Sequence, residues 1–407
     1  MVATDVAVVG AGPAGAAAAA TLARIGVRVV LIDKAVFPRD KSCGDGLTID
    51  ALRRLERLGL RPADVASWQR IDDAVIRVPD GRQTTFPLPS GGIHAAAARR
   101  CDLDAALVAL AGDAGADVVE GCALTGASAE GDRVRLDTTD GTVHARYVVA
   151  ADGMWSPLRK ALGVADEPGY RGDWHALRQY FTGVGPEAAH MWVWFEPDLL
   201  PGYAWSFPLP DGGANVGFGV HRRPGAAPTG GMGKRWAELL ARPHIASVLG
   251  PGARPESAAK TWPIPARIGR SPLSAAAGRV LFAGDAARAT DSMTGEGIAQ
   301  ALETGELAAR AITAAGPGAP GQAAEAYTHI IRRGMAIDDL ANRGLSAVLR
   351  RPSSRWMGVA SANDRMRRNF ARWMFEDYPR ALFFTPHRWH RGALHGQPPY
   401  PSTSVLR

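Results

Sequence analysis

The stretch DVAVVGAGPAGAAAAATLARIGVRVVLID, residues 5–33, decides the fold. Its apolar start, DVAVVG, predicts a short buried strand, PAGAAAAATLARIG predicts a helix, and VRVVLID predicts a second buried strand. We therefore expect one strand–helix–strand unit over residues 4–34.

Glycines between the first strand and the helix indicate what this unit binds. Gly10, Gly12 and Gly15 form a Gly-x-Gly-x-x-Gly pattern. Such glycines allow a tight turn, close approach of a pyrophosphate to the backbone and close helix–strand packing, and the helix N-terminus attracts phosphate. Asp33 ends the second strand eighteen residues after Gly15, where a carboxylate can bind ribose hydroxyls. The unit predicts a dinucleotide site of the kind that both FAD and NAD use.

Length and composition are those of an ordinary folded protein with room for two substructures. The chain has 407 residues, of which 46% are hydrophobic and 21% charged. It has no run of eighteen or more apolar residues and no secretory signal at its start, so we expect neither a spanning helix nor export. Cys43, Cys101 and Cys122 show no CxxC or CxxH spacing, which predicts a cytoplasmic location and no metal site.

The later sequence spreads the pieces of one nucleotide-binding domain along the chain. Asp80-Gly81 predicts the turn of a hairpin, 95–114 a helix, 116–153 a three-stranded meander, and 170–222 an antiparallel sheet. A long helix is expected over about 295–314, and helical sequence fills most of 322–376. The sheet at 170–222 is therefore inserted into the nucleotide-binding domain.

Two further blocks favour FAD over NAD. AADGMWS at 150–156 follows a strand, and LFAGDAARATDSMTGEGI at 281–298 combines a strand, a Gly-Asp pair and a Gly-Glu-Gly that opens a helix. An Asp at the end of a strand can bind the ribityl chain of a flavin. A glycine-rich helix start presents backbone N–H groups and a positive dipole end to the anionic side of a reduced flavin.

Together the three blocks resemble the FAD-dependent hydroxylase superfamily, whose fold is that of p-hydroxybenzoate hydroxylase. Within it, DKSCGDGL at 40–47 resembles the Cys-Gly loop of the geranylgeranyl reductase family, and RRCDLD at 99–104 its Arg-x-x-Phe-Asp, with Leu103 for Phe. The family's Tyr-x-Trp-x-Phe-Pro strand, followed by Gly-x-Gly, matches 203–208 and 217–219. The resemblance covers about residues 4–313.

The resemblance implies an α/β fold: a Rossmann-like FAD-binding domain with an inserted antiparallel β-sheet substrate domain and a C-terminal helical segment. We expect 1–75, 95–165 and 275–315 to form the discontinuous FAD-binding domain, 76–94 and 166–274 the substrate domain, and 316–407 the C-terminal helical region and tail. The expected FAD-binding residues are Gly10, Gly12, Pro13, Ala14, Gly15, Asp33, Lys34, Lys41, Cys43, Gly44, Arg100, Asp152, Gly153, Gly284, Asp285, Gly295, Gly297 and Ile298.

By the same resemblance, the chain is expected to saturate C=C bonds of an isoprenoid by hydride transfer from N5 of reduced FAD. Tyr203, Trp205 and Phe207 alternate along one strand, so they share a face and form an apolar wall for the substrate. The expected catalytic residues are Cys43, Tyr203 and Trp205, and the expected substrate-binding residues are Phe207, Arg288 and Trp192. Cys43 either supplies a proton or fills a tight site as a small residue. Core packing of the aromatic residues is the plainer alternative.

Departures from the family pattern leave other reactions open. Arg288 and Asp291-Ser292 replace a Gly and an Asn-Pro of the family, and Arg288 can pair with Asp291 or bind a substrate phosphate or carboxylate. An FAD-dependent monooxygenase or halogenase of a natural-product scaffold is therefore the alternative. Halogenases carry Gly-Trp-x-Trp-x-Ile-Pro where Tyr203 and Phe207 stand here, which favours the reductase. A third alternative is a flavoprotein whose cofactor only shapes an apolar pocket.

The basic excess lies near the C-terminus. The net charge is +7, and residues 332–391 hold 13 Arg against 5 Asp and Glu. Met366, Phe370, Trp373 and Met374 form an apolar stripe flanked by arginines, which either covers the substrate pocket, the favoured interpretation, or contacts a membrane surface from the cytoplasmic side. Nothing in the sequence indicates a nucleic-acid module.

The expected electron donor is NAD(P)H or ferredoxin, because no second Rossmann unit is visible.

Overall fold

A computed structural model of the chain describes residues 2–88, 92–164, 169–222 and 231–349, together with positions 381, 385 and 386. Its helices are α1 (Pro13–Ala23), α2 (Ile49–Arg57), α3 (Arg100–Asp113), α4 (Pro157–Ala161), α5 (Met232–Leu240), α6 (Pro243–Leu249), α7 (Ile298–Ala315), α8 (Pro320–Arg333) and α9 (Met335–Leu349). Its strands are β1 (Val2–Val9), β2 (Val29–Ile32), β3 (Gly46–Leu47), β4 (Gln69–Ile71), β5 (Asp73–Arg77), β6 (Gln83–Pro87), β7 (Ala95–Ala97), β8 (Asp117–Val119), β9 (Leu124–Glu130), β10 (Arg133–Thr138), β11 (Gly141–Ala150), β12 (Trp174–Thr182), β13 (Met191–Trp194), β14 (Tyr203–Leu209), β15 (Gly213–His221), β16 (Arg254–Pro255), β17 (Lys260–Ile264), β18 (Ser274–Ala275) and β19 (Val280–Phe282).

The first sheet is the Rossmann-like layer. Its order is β18-β19-β11-β1-β2-β8, and all neighbours from β19 to β8 pair in parallel. All four residues of β2 are buried, as in a parallel sheet covered on both faces. β9, β10 and β11 form the meander expected from the sequence, and β11 runs on into the centre of the sheet. The predicted strand–helix–strand unit is therefore confirmed as β1, α1 and β2.

Helix α1 is made almost entirely of small residues because it is enclosed. Ten of its eleven residues are buried, and α7 and α3 pack against it. The closest approach is to Gly305 of α7, where a Cβ atom would lie 2.1 Å from the Ala14 carbonyl oxygen. A larger residue at 305 would push the two helices apart.

The second sheet carries the inserted substructure. Its order is β16-β12-β15-β14-β13-β5-β6, with β17 also paired to β12. All its pairs are antiparallel except β13–β5, which is parallel. The predicted hairpin is present as β5 and β6, with Gly81 at a φ of +90° in the turn. The fold class expected from the sequence is confirmed, and the domain boundaries stay a prediction.

A third sheet has three strands in the order β3-β7-β4. On β7, Ala96 packs with residues of α1 and α2, and Ala95 and Ala97 pack with strands of the second sheet. This sheet corrects the prediction of one helix over 95–114, because Ala95–Ala97 form strand β7 and the helix begins at Arg100. The three alanines are almost fully buried. Small apolar residues fit a buried strand as well as a buried helix, so their composition alone did not distinguish the two.

The C-terminal helical segment is present as α8 and α9, up to Leu349. The apolar stripe of Met366, Phe370, Trp373 and Met374 lies outside the described residues. Within the described ranges, no helix has both the length and the apolar character needed to cross a bilayer.

Gly305→Ala should destabilise the protein because its Cβ would meet the Ala14 carbonyl oxygen at 2.1 Å. We expect a loss of about 1–3 kcal/mol in the free energy of unfolding. Gly321→Ala, in α8, is the matched control, since no described heavy atom lies within 4 Å of the added Cβ. Urea unfolding of both variants checks this, and equal stabilities would contradict the close helix contact.

Candidate active site

The glycine-rich turn forms one end of a large cavity. Gly10 has a φ of +99°, and a Cβ atom there would lie 2.3 Å from the Ala151 carbonyl oxygen. A Cβ atom at Gly15 would lie 1.8 Å from the Gly10 carbonyl oxygen. Both positions therefore require glycine to bring β1, α1 and the end of β11 together. Gly12 has more room, because a Cβ atom there would have a single described heavy atom within 4 Å, Arg39 Nη2 at 3.8 Å.

The end of β2 is fixed by the carboxylate of Asp33. Its Oδ2 accepts the Ala11 N–H at 2.7 Å, and its Oδ1 accepts the Ala35 N–H at 2.8 Å. These bonds hold the carboxylate beside the turn, at the carboxyl edge of the parallel sheet. Ligands bind at this edge in open α/β sheets.

One cavity of about 1010 Å³ joins this turn to the second sheet. Its lining contains most of the residues that the sequence analysis singled out, from both substructures. The predicted residues along it are Gly10, Gly12, Pro13, Ala14, Asp33, Lys34, Lys41, Cys43, Gly44, Arg100, Asp152, Gly153, Tyr203, Trp205, Phe207, Gly284, Asp285, Gly295, Gly297 and Ile298. Gly15 lies behind the turn, where it supports the cavity wall and does not line it.

Arginine and lysine side chains are part of the cavity lining. Arg100, at the start of α3, is buried and makes two hydrogen bonds of 2.8 Å to Asp104. Lys41 lies over the Trp262 ring, with Nζ 3.5 Å from the ring centroid. Burial lowers the pKa of Lys41 to about 8, although Asp285 acts in the opposite direction.

The loop between β19 and α7 is held in place from the second sheet. Trp174 Nε1 donates to the Ser292 carbonyl oxygen at 3.1 Å, and the Tyr203 hydroxyl donates to the Thr294 carbonyl oxygen. Asp291 accepts the N–H groups of Met293 and Thr294, each at 2.8 Å. The backbone before α7 is thereby presented to the cavity in one conformation.

The aromatic residues of β14 form a wall along the cavity. The ring centroids of Tyr203 and Trp205 are 6.0 Å apart, and those of Trp205 and Phe207 are 6.1 Å apart. Gly217 on β15 makes this possible, because a Cβ atom there would lie 2.4 Å from the Trp205 ring. A Cβ atom at Gly46 would lie 2.9 Å from the Phe207 ring. The wall is therefore packed closely between β15 and the 43–46 loop.

Trp192 is not part of this wall. Alternation along β13 directs Met191 and Val193 to the cavity and Trp192 and Trp194 to the opposite face. The Trp192 ring stacks on Trp194 with centroids 5.7 Å apart and is almost fully buried in the outer core. The expected substrate contact of Trp192 is corrected accordingly.

Arg288 is also placed away from the cavity. It has a φ of +60°, is buried, and holds its guanidinium carbon 4.8 Å from the centroid of the Tyr170 ring. Arg288 is not among the described residues that line the cavity. Asp291 accepts a hydrogen bond of 2.6 Å from Asn342. The expectation that Arg288 meets the substrate is therefore corrected.

Three polar residues that the sequence analysis missed, Asp45, Tyr180 and Asn215, form a buried hydrogen-bonded group between the 43–46 loop and the second sheet. Asp45 Oδ2 accepts the Tyr180 hydroxyl at 2.6 Å and Asn215 Nδ2 at 2.9 Å. Asn215 Nδ2 also donates to the Cys43 carbonyl oxygen at 2.8 Å, and Asn215 Oδ1 accepts Trp205 Nε1 at 3.1 Å. The sequence signal for this group was the position of Asp45 between two glycines. In the structure the backbone of Asp45 has a φ of +65°.

Burial dominates the acid–base properties of this group. It raises the pKa of Asp45 to about 6, against the hydrogen bonds from Tyr180 and Asn215, which lower it. Burial also raises the pKa of the Cys43 thiol, while nearby Arg100 acts in the opposite direction. The site therefore keeps a carboxyl group that titrates close to neutral pH beside a thiol that stays protonated.

Known flavin-binding proteins share the sequence pattern of this chain. Residues 3–330 match the family model described as FAD binding domain. A menaquinone reductase of Mycolicibacterium smegmatis is 36% identical over 343 residues, which cover 77% of this chain and 77% of that protein. Digeranylgeranylglycerophospholipid reductase 1 of Methanopyrus kandleri is 31% identical over 321 residues, 75% of this chain and 79% of that protein.

A solved structure has the same fold over nearly the whole chain. It is a geranylgeranyl bacteriochlorophyll reductase-like protein from Thermoplasma acidophilum, with a TM-score of 0.75 and 22% sequence identity. The alignment covers 95% of this chain and 99% of that one.

Asp45→Asn should make stability less dependent on pH. The folded protein binds the Asp45 proton more tightly than the unfolded chain does, so this residue favours folding below pH 4 and loses that contribution as pH rises through about 6. Between pH 4 and pH 8 the variant should gain up to about 3 kcal/mol relative to the wild type. Urea unfolding at both pH values measures this.

The exposed Asp64→Asn is the control, because Arg61 lowers the pKa of Asp64, which therefore titrates below pH 4. The difference in stability between the Asp64 variant and the wild type should change little between pH 4 and pH 8. A difference between wild type and Asp45→Asn that is independent of pH would contradict the raised pKa.

Proposed function

Because the chain belongs to the geranylgeranyl reductase family of FAD-dependent oxidoreductases, we propose that it saturates C=C bonds of a polyprenyl substrate. The observation that carries this proposal is the aromatic wall of Tyr203, Trp205 and Phe207, which shares one cavity with the nucleotide turn. An apolar chain lying along the wall would thus reach the cofactor without crossing solvent. Relatives named for menaquinone and for a digeranylgeranylglycerophospholipid support a long isoprenoid as the substrate class.

The residues of the cavity fit FAD. The backbone of Gly10 and Gly12 leaves space beside the start of α1, where a pyrophosphate meets N–H groups that have no partner within the helix. Asp33 is held at the ribose position of such sites, and Asp285 lines the cavity where a ribityl chain would pass. When bound, FAD supplies a hydride from N5 of its reduced ring. Arg100, Lys41 and the backbone before α7 would hold the flavin end.

The protein's own part in the reaction is to hold an alkene in a dry site. The buried ring of Trp205 and the half-buried rings beside it offer rigid apolar surface, and an alkene bound against them would displace water from its reacting carbons. We assign Tyr203 to positioning, because its hydroxyl is engaged by the Thr294 carbonyl oxygen and burial raises its pKa. Cys43 lines the same space beside Arg100, either as a proton source or as the small residue that shapes it.

We propose NAD(P)H or ferredoxin as donor, because the nucleotide site described above is taken by FAD. We also propose that the arginine-flanked stripe around residues 365–374 either covers the cavity or contacts a membrane surface.

Liposome sedimentation of the full chain and of a chain ending at residue 350 separates these two roles for the stripe. Stronger binding of the full chain supports membrane contact. Equal binding of the two forms contradicts it and leaves the stripe as a cover for the cavity.

The reduction itself can be tested directly. We expect the dithionite-reduced flavoprotein, mixed without oxygen with a polyprenyl quinone or polyprenyl diphosphate, to oxidise its flavin and yield a product with two added hydrogen atoms per saturated bond. Mass spectrometry of the product and flavin absorbance follow both partners. A product that forms only with oxygen and gains oxygen or a halogen would establish the monooxygenase or halogenase alternative instead.

A further inference from the structure

Asp45 holds an unused acid at the edge of the cavity. The residue is fully buried and is one of those that line the cavity. Its Oδ2 is occupied on the sheet side by the Tyr180 hydroxyl and Asn215 Nδ2. Its Oδ1 is buried and has no hydrogen-bond partner among the described residues. Since Oδ2 is tied to the sheet, Oδ1 is the carboxyl atom that remains to bond a group in the cavity.

A buried oxygen without a partner is costly for a carboxylate and much less so for a neutral acid. With two donors on Oδ2, the proton of the neutral acid belongs on Oδ1. The backbone at a φ of +65° holds the residue in this place, between Gly44 and Gly46. Strained backbone of this kind is concentrated at functional sites.

We propose that Asp45 is the proton donor of the reduction, an assignment that rests on the proposed function. The alkene π bond breaks as one carbon accepts a hydride from reduced FAD. The second carbon forms its C–H bond with the proton of Asp45 Oδ1, whose O–H bond breaks to leave a carboxylate. Asp45 then regains a proton from water before the next turnover, and NAD(P)H or ferredoxin restores the reduced flavin.

The neighbouring groups make Asp45 a better acid for this step than the other candidates. Charged and titratable groups near it are Arg100 of α3, Arg178 and Tyr180 of β12, and Cys43 of its own loop. Burial outweighs the two arginines and raises the pKa of Asp45 to about 6, close to the range in which a general acid is most effective. The Cys43 thiol has a raised pKa and is a much weaker acid.

Asp45→Asn tests the assignment, because an amide keeps the shape and the hydrogen bonds to Oδ2 but has no acidic proton. The first measurement is infrared spectroscopy of the oxidised flavoprotein without substrate. The wild type should show a protonated carboxyl band that disappears as pH rises through about 6. The band should appear in the difference between the wild-type and Asp45→Asn spectra, because Asp152, whose pKa burial also raises, is the same in both proteins. Asp64→Asn, at an exposed site, should keep the band.

The second measurement is the single-turnover rate at which the alkene reoxidises the reduced flavin. It should fall at least about 100-fold in Asp45→Asn, with reduction by dithionite unchanged. In the wild type this rate should decline as pH rises through the Asp45 pKa. Tyr180→Phe removes a hydrogen bond that lowers this pKa, so the decline should move to higher pH.

The outcomes separate two kinds of failure. If the wild type reduces no alkene, the proposed function is wrong and the assignment of Asp45 falls with it. If the wild type reduces one and Asp45→Asn does so at the same rate, or the carboxyl band is absent, only the assignment of Asp45 is wrong. A pH dependence that persists in Asp45→Asn but is lost in Cys43→Ala would assign the proton to the thiol.

Discussion

Close backbone contact at the start of α1 is the constraint on which the rest of the structure depends. The Ala14 carbonyl oxygen faces Gly305 of α7, and the Ala14 methyl group faces Gly284, where a Cβ atom would lie 3.0 Å away. Segments nearly three hundred residues apart in sequence thus meet without side chains between them. The nucleotide turn, the end of β19 and α7 are in direct contact. The loop before α7 is therefore held at one wall of the cavity.

The second sheet is coupled to this centre by hydrogen bonds and not by apolar packing alone. Tyr203 and Trp174 bind backbone carbonyls of the 292–294 loop, and Asn215 binds the carbonyl of Cys43. Each bond joins a strand of the second sheet to a loop of the cofactor end. The buried donors and acceptors would lose their partners if the sheet shifted, so the relative position of wall and cofactor end is well defined.

Local patterns in the sequence were enough for the strand–helix–strand unit, the meander and the shared face of Tyr203, Trp205 and Phe207, because each depends on neighbours in the chain. Trp192 and Arg288 were misplaced for a different reason. Alternation shows that Trp192 and Val193 face opposite ways, but only the pairing of β13 with β5 and β14 decides which of them meets the cavity. Asp45 was missed because its raised pKa comes from burial, and because its hydrogen-bond partners Tyr180 and Asn215 are distant in sequence.

The regular spacing of the aromatic wall bears on which double bond of a bound chain is selected. Successive rings lie 6.0 and 6.1 Å apart, close to the repeat of alternate residues in a strand. A polyprenyl chain is itself a repeat, so it meets equivalent contacts when it slides by one unit. Such a surface binds the chain but does not distinguish one isoprene unit from the next. The choice of one double bond must therefore come from whatever stops the chain at the ends of the cavity.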